Sequence, residues 1–80
     1  DGYWLRETLV PPQMFGRQLS ELDIRNRTGV QILLIRSNSA PGEQHRAVHV
    51  PGPADRLEEG QTLIVAGTEA GLDKLDRFRR

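Results

Sequence analysis

The sequence predicts a small α+β domain, a mixed sheet of about four strands with two helices in the chain order β-α-β-β-β-α. Three observations lead to this class. Two nearly unbroken aliphatic runs have the length and composition of buried strands. Two other segments space their apolar residues at helical intervals. Strands and helices do not alternate regularly, as they would in a parallel α/β sheet.

The first part of the chain predicts a strand, a loop and a helix. Tyr3 to Val10 is the first strand, because the two prolines that follow cannot continue a hydrogen-bond ladder. Gln13 to Arg17 is a loop in which Gly16 supplies a turn conformation. Gln18 to about Arg27 is a short amphipathic helix, and Gly29 is its left-handed cap.

The remainder predicts three strands and a closing helix. Val30 to Ile35 is apolar on both faces, so we expect a central strand covered on each side. A polar loop over Ser37 to Gln44 leads to a half-buried strand from His45 to Val50. Thr62 to Ala66 is another buried strand, and Thr68 is the expected N-cap of the last helix. The apolar stripe of that helix is predicted from Leu72, Leu75 and Phe78.

Composition argues against several classes of function. Eleven basic and eleven acidic residues cancel, whereas nucleic-acid binding draws much of its affinity from a basic excess; we therefore expect no nucleic-acid partner. The absence of cysteine excludes disulfides, thiolate chemistry and a cysteine-based zinc site. No apolar stretch reaches the roughly 18 to 20 residues that cross a bilayer. At 80 residues the chain is expected to be a single domain, residues 1–80. Because it begins at Asp1 rather than Met, we expect that domain to come from a longer chain.

No set of residues predicts catalysis or a metal centre. His45 and His49 would lie about 13 Å apart on a strand, too far to hold one ion. Glu58 and Glu59 precede a glycine turn and are typical of solvated charges. The serines lie outside a nucleophile elbow, and the glycines form no phosphate-binding loop. We therefore expect no enzyme activity.

The arginines near the middle of the chain allow two interpretations. Arg25, Arg27 and Arg36 fit solvated charges at the ends of a helix and a strand. Alternatively, Arg25 and Gln31 point into one shared groove, where a guanidinium can contact a phosphate in bidentate fashion or stack on a base. The pattern of residues leaves both interpretations open.

Five motifs occur in the order found in one known domain family. They are Pro12 to Leu19 (PQMFGRQL), Glu21 to Arg25 (ELDIR), Gly29 to Arg36 (GVQILLIR), Val50 to Pro53 (VPGP) and Leu57 to Gly67 (LEEGQTLIVAG). Together with a closing helix, this series resembles the RCK C-terminal domain, also called the TrkA C-terminal domain. The resemblance covers about residues 5 to 78, nearly the whole chain.

The resemblance implies a cytosolic regulatory domain. Such domains occur in potassium channel subunits, potassium uptake systems and cation-proton antiporters, where they dimerise. The resemblance therefore implies a homodimer that acts with a membrane transporter or channel subunit in the same chain or complex. Two alternatives stay open: a domain that only holds subunits together, and the effector domain of a transcription regulator.

Some members bind cyclic di-AMP between two protomers, and there an arginine at the place of Arg25 contacts phosphate. The resemblance thus implies a ligand site of Arg25, Gln31 and Pro51, with no metal and no resident cofactor. Gln31 departs from the asparagine of those members, and its longer side chain narrows the room for a base. Gln61 replaces an aspartate common in the family, and the loop from Ser37 to Gln44 is longer than typical.

Overall fold

A computed structural model describes residues 2–37 and 47–77 of the 80-residue chain. The elements are strand β1 (Trp4–Leu9), a 3-10 turn (Pro12–Met14), helices α1 (Leu19–Leu22) and α2 (Ile24–Thr28), strands β2 (Gln31–Ser37), β3 (Ala47–His49) and β4 (Thr62–Gly67), and helix α3 (Glu69–Asp76). The predicted α+β class and order of elements are confirmed. Two sets of predictions fall outside the described residues. Residues 38–46 contain most of the predicted polar loop and the start of the predicted third strand, including His45, and Phe78 belongs to the predicted apolar stripe of the last helix.

The four strands form one sheet in the order β1-β4-β2-β3. β1 and β2 run in the same direction, but β4 lies between them and is antiparallel to both. Every described pairing is therefore antiparallel, where a mixed sheet was predicted. β3 pairs only with the last three residues of β2, from Ile35 to Ser37, so within the described chain the first half of β2 has no strand on that side.

The helices cover one face of the sheet. On this face, Arg6 of β1 forms an ion pair of 2.9 Å with Asp76 of α3. The core beneath the helices is apolar and consists of Val10, Met14, Leu22, Ile24, Val30, Ile35, Leu57, Leu63, Val65, Leu72 and Leu75. Among the described residues no helix has the length and apolar character to cross a membrane.

β2 is not covered on both sides, as its apolar sequence predicts. Ile35 is fully buried on the helix side, but Leu33 and Leu34 are only half-buried and Gln31 is exposed. The described chain places its helices α1, α2 and α3 against a single sheet face. The aliphatic side chains on the other face are therefore left partly in solvent.

The single helix predicted from Gln18 to about Arg27 is two short helices. Asp23 separates them with left-handed backbone angles, φ 51° and ψ 43°. The Asn26 side chain donates a hydrogen bond of 2.9 Å to the Asp23 carboxylate. Aspartate and asparagine tolerate the left-handed conformation because their short polar side chains form hydrogen bonds with nearby groups. The break lets Ile24 enter the core while Arg25 stays exposed. Gly29 ends α2 at φ 79°, as predicted.

Candidate functional site

A cavity of about 380 Å³ opens where α1 and α2, the start of β2 and the segment 51–53 meet. Arg25, Gln31 and Pro51 all line it. Sequence reasoning proposed these three residues as a ligand site, and the fold brings them together from a helix, a strand and a loop. Their role in binding stays a prediction.

The first wall of the cavity is formed by α1 and α2 and includes a positively charged side chain, Arg25. Arg25 belongs to the short helix α2 and is exposed. Among the described residues its guanidinium has no hydrogen-bond or ion-pair partner, unlike that of Arg6 or Arg36. Asp23 also lines the cavity, but its carboxylate accepts the hydrogen bond from Asn26. A guanidinium at a cavity rim is suited to a phosphate or carboxylate.

A buried threonine fixes the corner between Arg25 and Gln31. The Thr28 hydroxyl donates to the carbonyl oxygen of Ile24 at 2.7 Å and accepts from the Val30 N–H at 3.0 Å. Thr28 is 5% exposed and is the one buried polar residue in the described part of the chain. These two bonds set the path from the end of α2 into β2. Sequence reasoning missed Thr28, although a threonine just before the capping glycine is a detectable signal.

The second wall of the cavity, which we call the loop wall, is the segment 51–53. Asp55, which sequence reasoning also missed, fixes its position through hydrogen bonds. Its carboxylate oxygen Oδ2 accepts from the Gly52 N–H at 2.7 Å and lies 3.4 Å from Nε2 of His49. The Asp55 carbonyl oxygen accepts from the Leu19 N–H at 2.9 Å. One residue thus joins the Pro51 turn, the end of β3 and the first residue of α1. An aspartate two residues after Pro-Gly-Pro is a turn signal that could have indicated this role.

The third wall of the cavity is the first half of β2, the part of that strand with no described neighbour on the β3 side. β3 pairs with β2 only from Ile35 onward, and the β2–β4 register shifts between Ile32 and Leu34. Such a bulge bends a strand and re-aims its side chains. The cavity therefore lies beside the first half of β2, near Gln31 and Ile32.

The chemistry of the cavity suits binding. The polar side chains on its walls are Ser20, Asp23, Arg25 and Gln31, and the apolar ones include Leu19, Ile24 and Ile32. In residues 2–37 and 47–77, no three histidine, aspartate or glutamate side chains cluster closely enough to hold a metal ion. A cation, an amide and aliphatic walls can together hold a flat organic anion.

Comparison with known proteins shows which family and which solved structures this chain is similar to. A profile of the TrkA-C domain matches residues 5–79. A sequence search among curated proteins gave no match. The solved structure titled GsuK channel bound to NAD is 30% identical with a TM-score of 0.76, and the match covers 96% of this chain but only 13% of that one.

Two further solved structures are similar to this chain over nearly all of its length. One is the RCK C domain of the potassium transport protein KtrA in complex with cyclic diadenosine monophosphate, 26% identical with a TM-score of 0.74, covering 94% of this chain and 81% of that one. The other is the RCK_C domain dimer of S. agalactiae BusR with c-di-AMP, at 22% identity and a TM-score of 0.69, covering 92% and 86%. At that identity the BusR likeness shows the fold alone.

Proposed function

Because the chain belongs to the TrkA-C domain family, we propose that it is a non-catalytic cytoplasmic domain that senses a ligand, dimerises and regulates transmembrane potassium transport. We place it as one domain of a longer chain that contains, or assembles with, a channel or transporter subunit. The observation that carries this proposal is the convergence of Arg25, Gln31 and Pro51 on one cavity. The family match and the KtrA likeness support it.

The ligand that best fits the cavity is a cyclic dinucleotide such as cyclic di-AMP. Its phosphates suit the Arg25 guanidinium, and its bases suit the aliphatic wall formed by Leu19, Ile24 and Ile32. The ligand has two-fold symmetry, and a symmetric dimer presents the same residues twice. Arg25 from each protomer then contacts one phosphate. Gln31 also lines the cavity, and its side chain sets the room left for the base.

Regulation follows from differential affinity. A ligand shifts an equilibrium between two dimer arrangements only if it binds one of them more tightly. A ligand that bridges both cavities meets that condition, because it contacts both Arg25 side chains only when the protomers stand at one spacing. The transport subunit attached to each domain then follows that spacing.

Titration calorimetry with cyclic di-AMP tests the ligand and the role of Arg25 together. Removing one charged hydrogen-bond partner costs about 1.5 to 3 kcal/mol, and a symmetric dimer loses two. We therefore expect Arg25→Ala to weaken binding by at least about a hundredfold. Arg27→Ala is the matched control, because it removes the same charge from α2 at a position that does not line the cavity. Equal affinity of wild type and Arg25→Ala would remove Arg25 from the site.

The alternatives predict different results. If the domain only holds subunits together, wild-type protein gives no binding heat while its dimer persists. The second candidate that the sequence leaves open is the effector domain of a transcription regulator; BusR, whose RCK_C domain has the same fold, was solved in complex with its busAB-promotor DNA. The sequence that flanks this domain distinguishes the two: membrane-spanning or nucleotide-binding segments favour transport, and a helix-turn-helix favours transcription.

A further inference from the structure

The sheet face opposite the helices carries a cluster of exposed aliphatic side chains. Residues directly opposite each other in the register share a face, so Glu7, Ile64 and Leu34 form one row across three strands. The next row is Leu9, Thr62, Arg36 and Val48. We call this surface, which also includes Leu5 beside Ala66, the outer sheet face.

The outer sheet face is mostly aliphatic, and no helix of the described chain covers it. Leu5 is 73% exposed, Leu9 68% and Val48 51%. A single exposed leucine is ordinary, but an aliphatic cluster on a flat surface is typical of an interface. An antiparallel sheet with one bare apolar face commonly packs that face against another sheet.

The charges on the outer sheet face indicate what it packs against. Glu7 on β1 and Arg36 on β2 form an ion pair of 2.9 Å that crosses β4. The acid lies on one side of β4 and the base on the other. Consider a second copy that packs face to face on the first and is related to it by a two-fold axis parallel to β4. In this arrangement β2 of the second copy packs on β1 of the first. Each Glu7 then faces the basic strand of the partner.

The other simple arrangement is unfavourable. An axis across the strands lays each strand over its own copy, so acid faces acid and base faces base. We propose that the outer sheet face packs on the same face of a second copy of this chain, with the two-fold axis parallel to β4. The proposal uses a different surface from the ligand site, because the other walls of the cavity are α1, α2 and segment 51–53. Gln31, which is opposite Ala66 in the register, lies where the two surfaces meet.

The size of the face sets the expected strength. β1, β4 and β2 are six or seven residues long, so at about 4.8 Å per strand they span about 14 Å by 20 Å, and the three residues of β3 add about 5 Å by 10 Å. That is roughly 340 Å² per copy, less than half of what each partner contributes to a standard interface. We expect weak self-association, measurable at high protein concentration and effective where a longer chain already holds copies together.

Mixing two charge-reversed variants tests the proposal. Glu7→Arg and Arg36→Glu each break the ion pair within the chain and each place like charges across the proposed interface. Sedimentation equilibrium up to about millimolar protein should show each variant alone associating about tenfold more weakly than wild type. An equimolar mixture should recover the wild-type value, because the two basic side chains of one variant then face the two acidic side chains of the other. Recovery requires an attraction between the two chains, so a control must separate contact at this face from attraction between opposite net charges.

Arg6→Glu mixed with Asp76→Arg is the matched control. These variants break an ion pair of the same 2.9 Å length on the helix side and carry the same opposite net charges. Recovery in the first mixture alone supports the proposal, and equal recovery in both, or none in the first, overturns it. A second measurement needs no variant: amide chemical shifts of wild-type protein should change with concentration along β1, β4 and β2 and stay constant along α3. Constant shifts in all four elements would overturn the proposal as well.

Discussion

Asp55 illustrates at the residue scale how a side chain that need not touch a ligand can define a site. Its carboxylate accepts the Gly52 N–H and lies beside His49, and its carbonyl accepts the Leu19 N–H. These contacts hold the Pro51 turn against the start of α1. The position of the loop wall therefore depends on Asp55 as much as on Pro51 itself.

Replacing Asp55 with alanine should weaken ligand binding through the position of Pro51. The lost hydrogen bond to Gly52 should cost about 0.5 to 1.5 kcal/mol of unfolding free energy, and the affinity for cyclic di-AMP should fall with it. Denaturant unfolding and calorimetry on the same samples measure the two effects. Asp73→Ala, an exposed change on α3, is the control. Binding that stays at wild-type strength in Asp55→Ala would show that the loop wall is not part of the site.

At the scale of elements, the sequence predicted which segments form strands and helices, because their apolar periodicity is local. It did not predict the break at Asp23, since the spacing of Leu19 and Leu22 suits one continuous helix equally well. The break arises from tertiary packing, which buries Ile24 against the core. The place of β4 between β1 and β2 is likewise invisible in the chain order. The sequence was sufficient to propose Arg25, Gln31 and Pro51 as site residues. It did not predict the cavity that they share, which depends on the break at Asp23 and on the order of the strands.

The contact between α2 and α3 gives a prediction at the element scale. Gly71 weakens α3 by about 1 kcal/mol in intrinsic propensity relative to alanine, yet an added Cβ there would lie 2.8 Å from the Thr28 carbonyl oxygen. That oxygen is backbone, so α3 would have to shift. We expect Gly71→Ala to lower the unfolding free energy in denaturant titration, and Ala70→Gly on the exposed side to lower it by about 1 kcal/mol. A stabilised Gly71→Ala would show that helix propensity outweighs the close approach.

At the scale of the whole molecule, one small core supports two candidate binding surfaces. One surface is the cavity between α1, α2 and segment 51–53 with Arg25 at its rim, and the other is the outer sheet face, which meets the cavity at Gln31. A domain this small buries a limited share of its surface, so association with further copies is an expected source of stability. Ligand-dependent dimerisation through the cavity side is the central claim, since it connects the site to regulation.

Sedimentation velocity of the wild-type domain with increasing cyclic di-AMP tests this claim most directly. The nucleotide absorbs strongly in the ultraviolet, so the species that carries it can be identified in the same experiment. We predict that the ligand sediments with a dimer, at one nucleotide per two chains, and that the dimer persists at lower protein concentration when the ligand is present. A ligand that sediments with the monomer at one per chain, or a dimer whose strength does not change with the ligand, would contradict the claim.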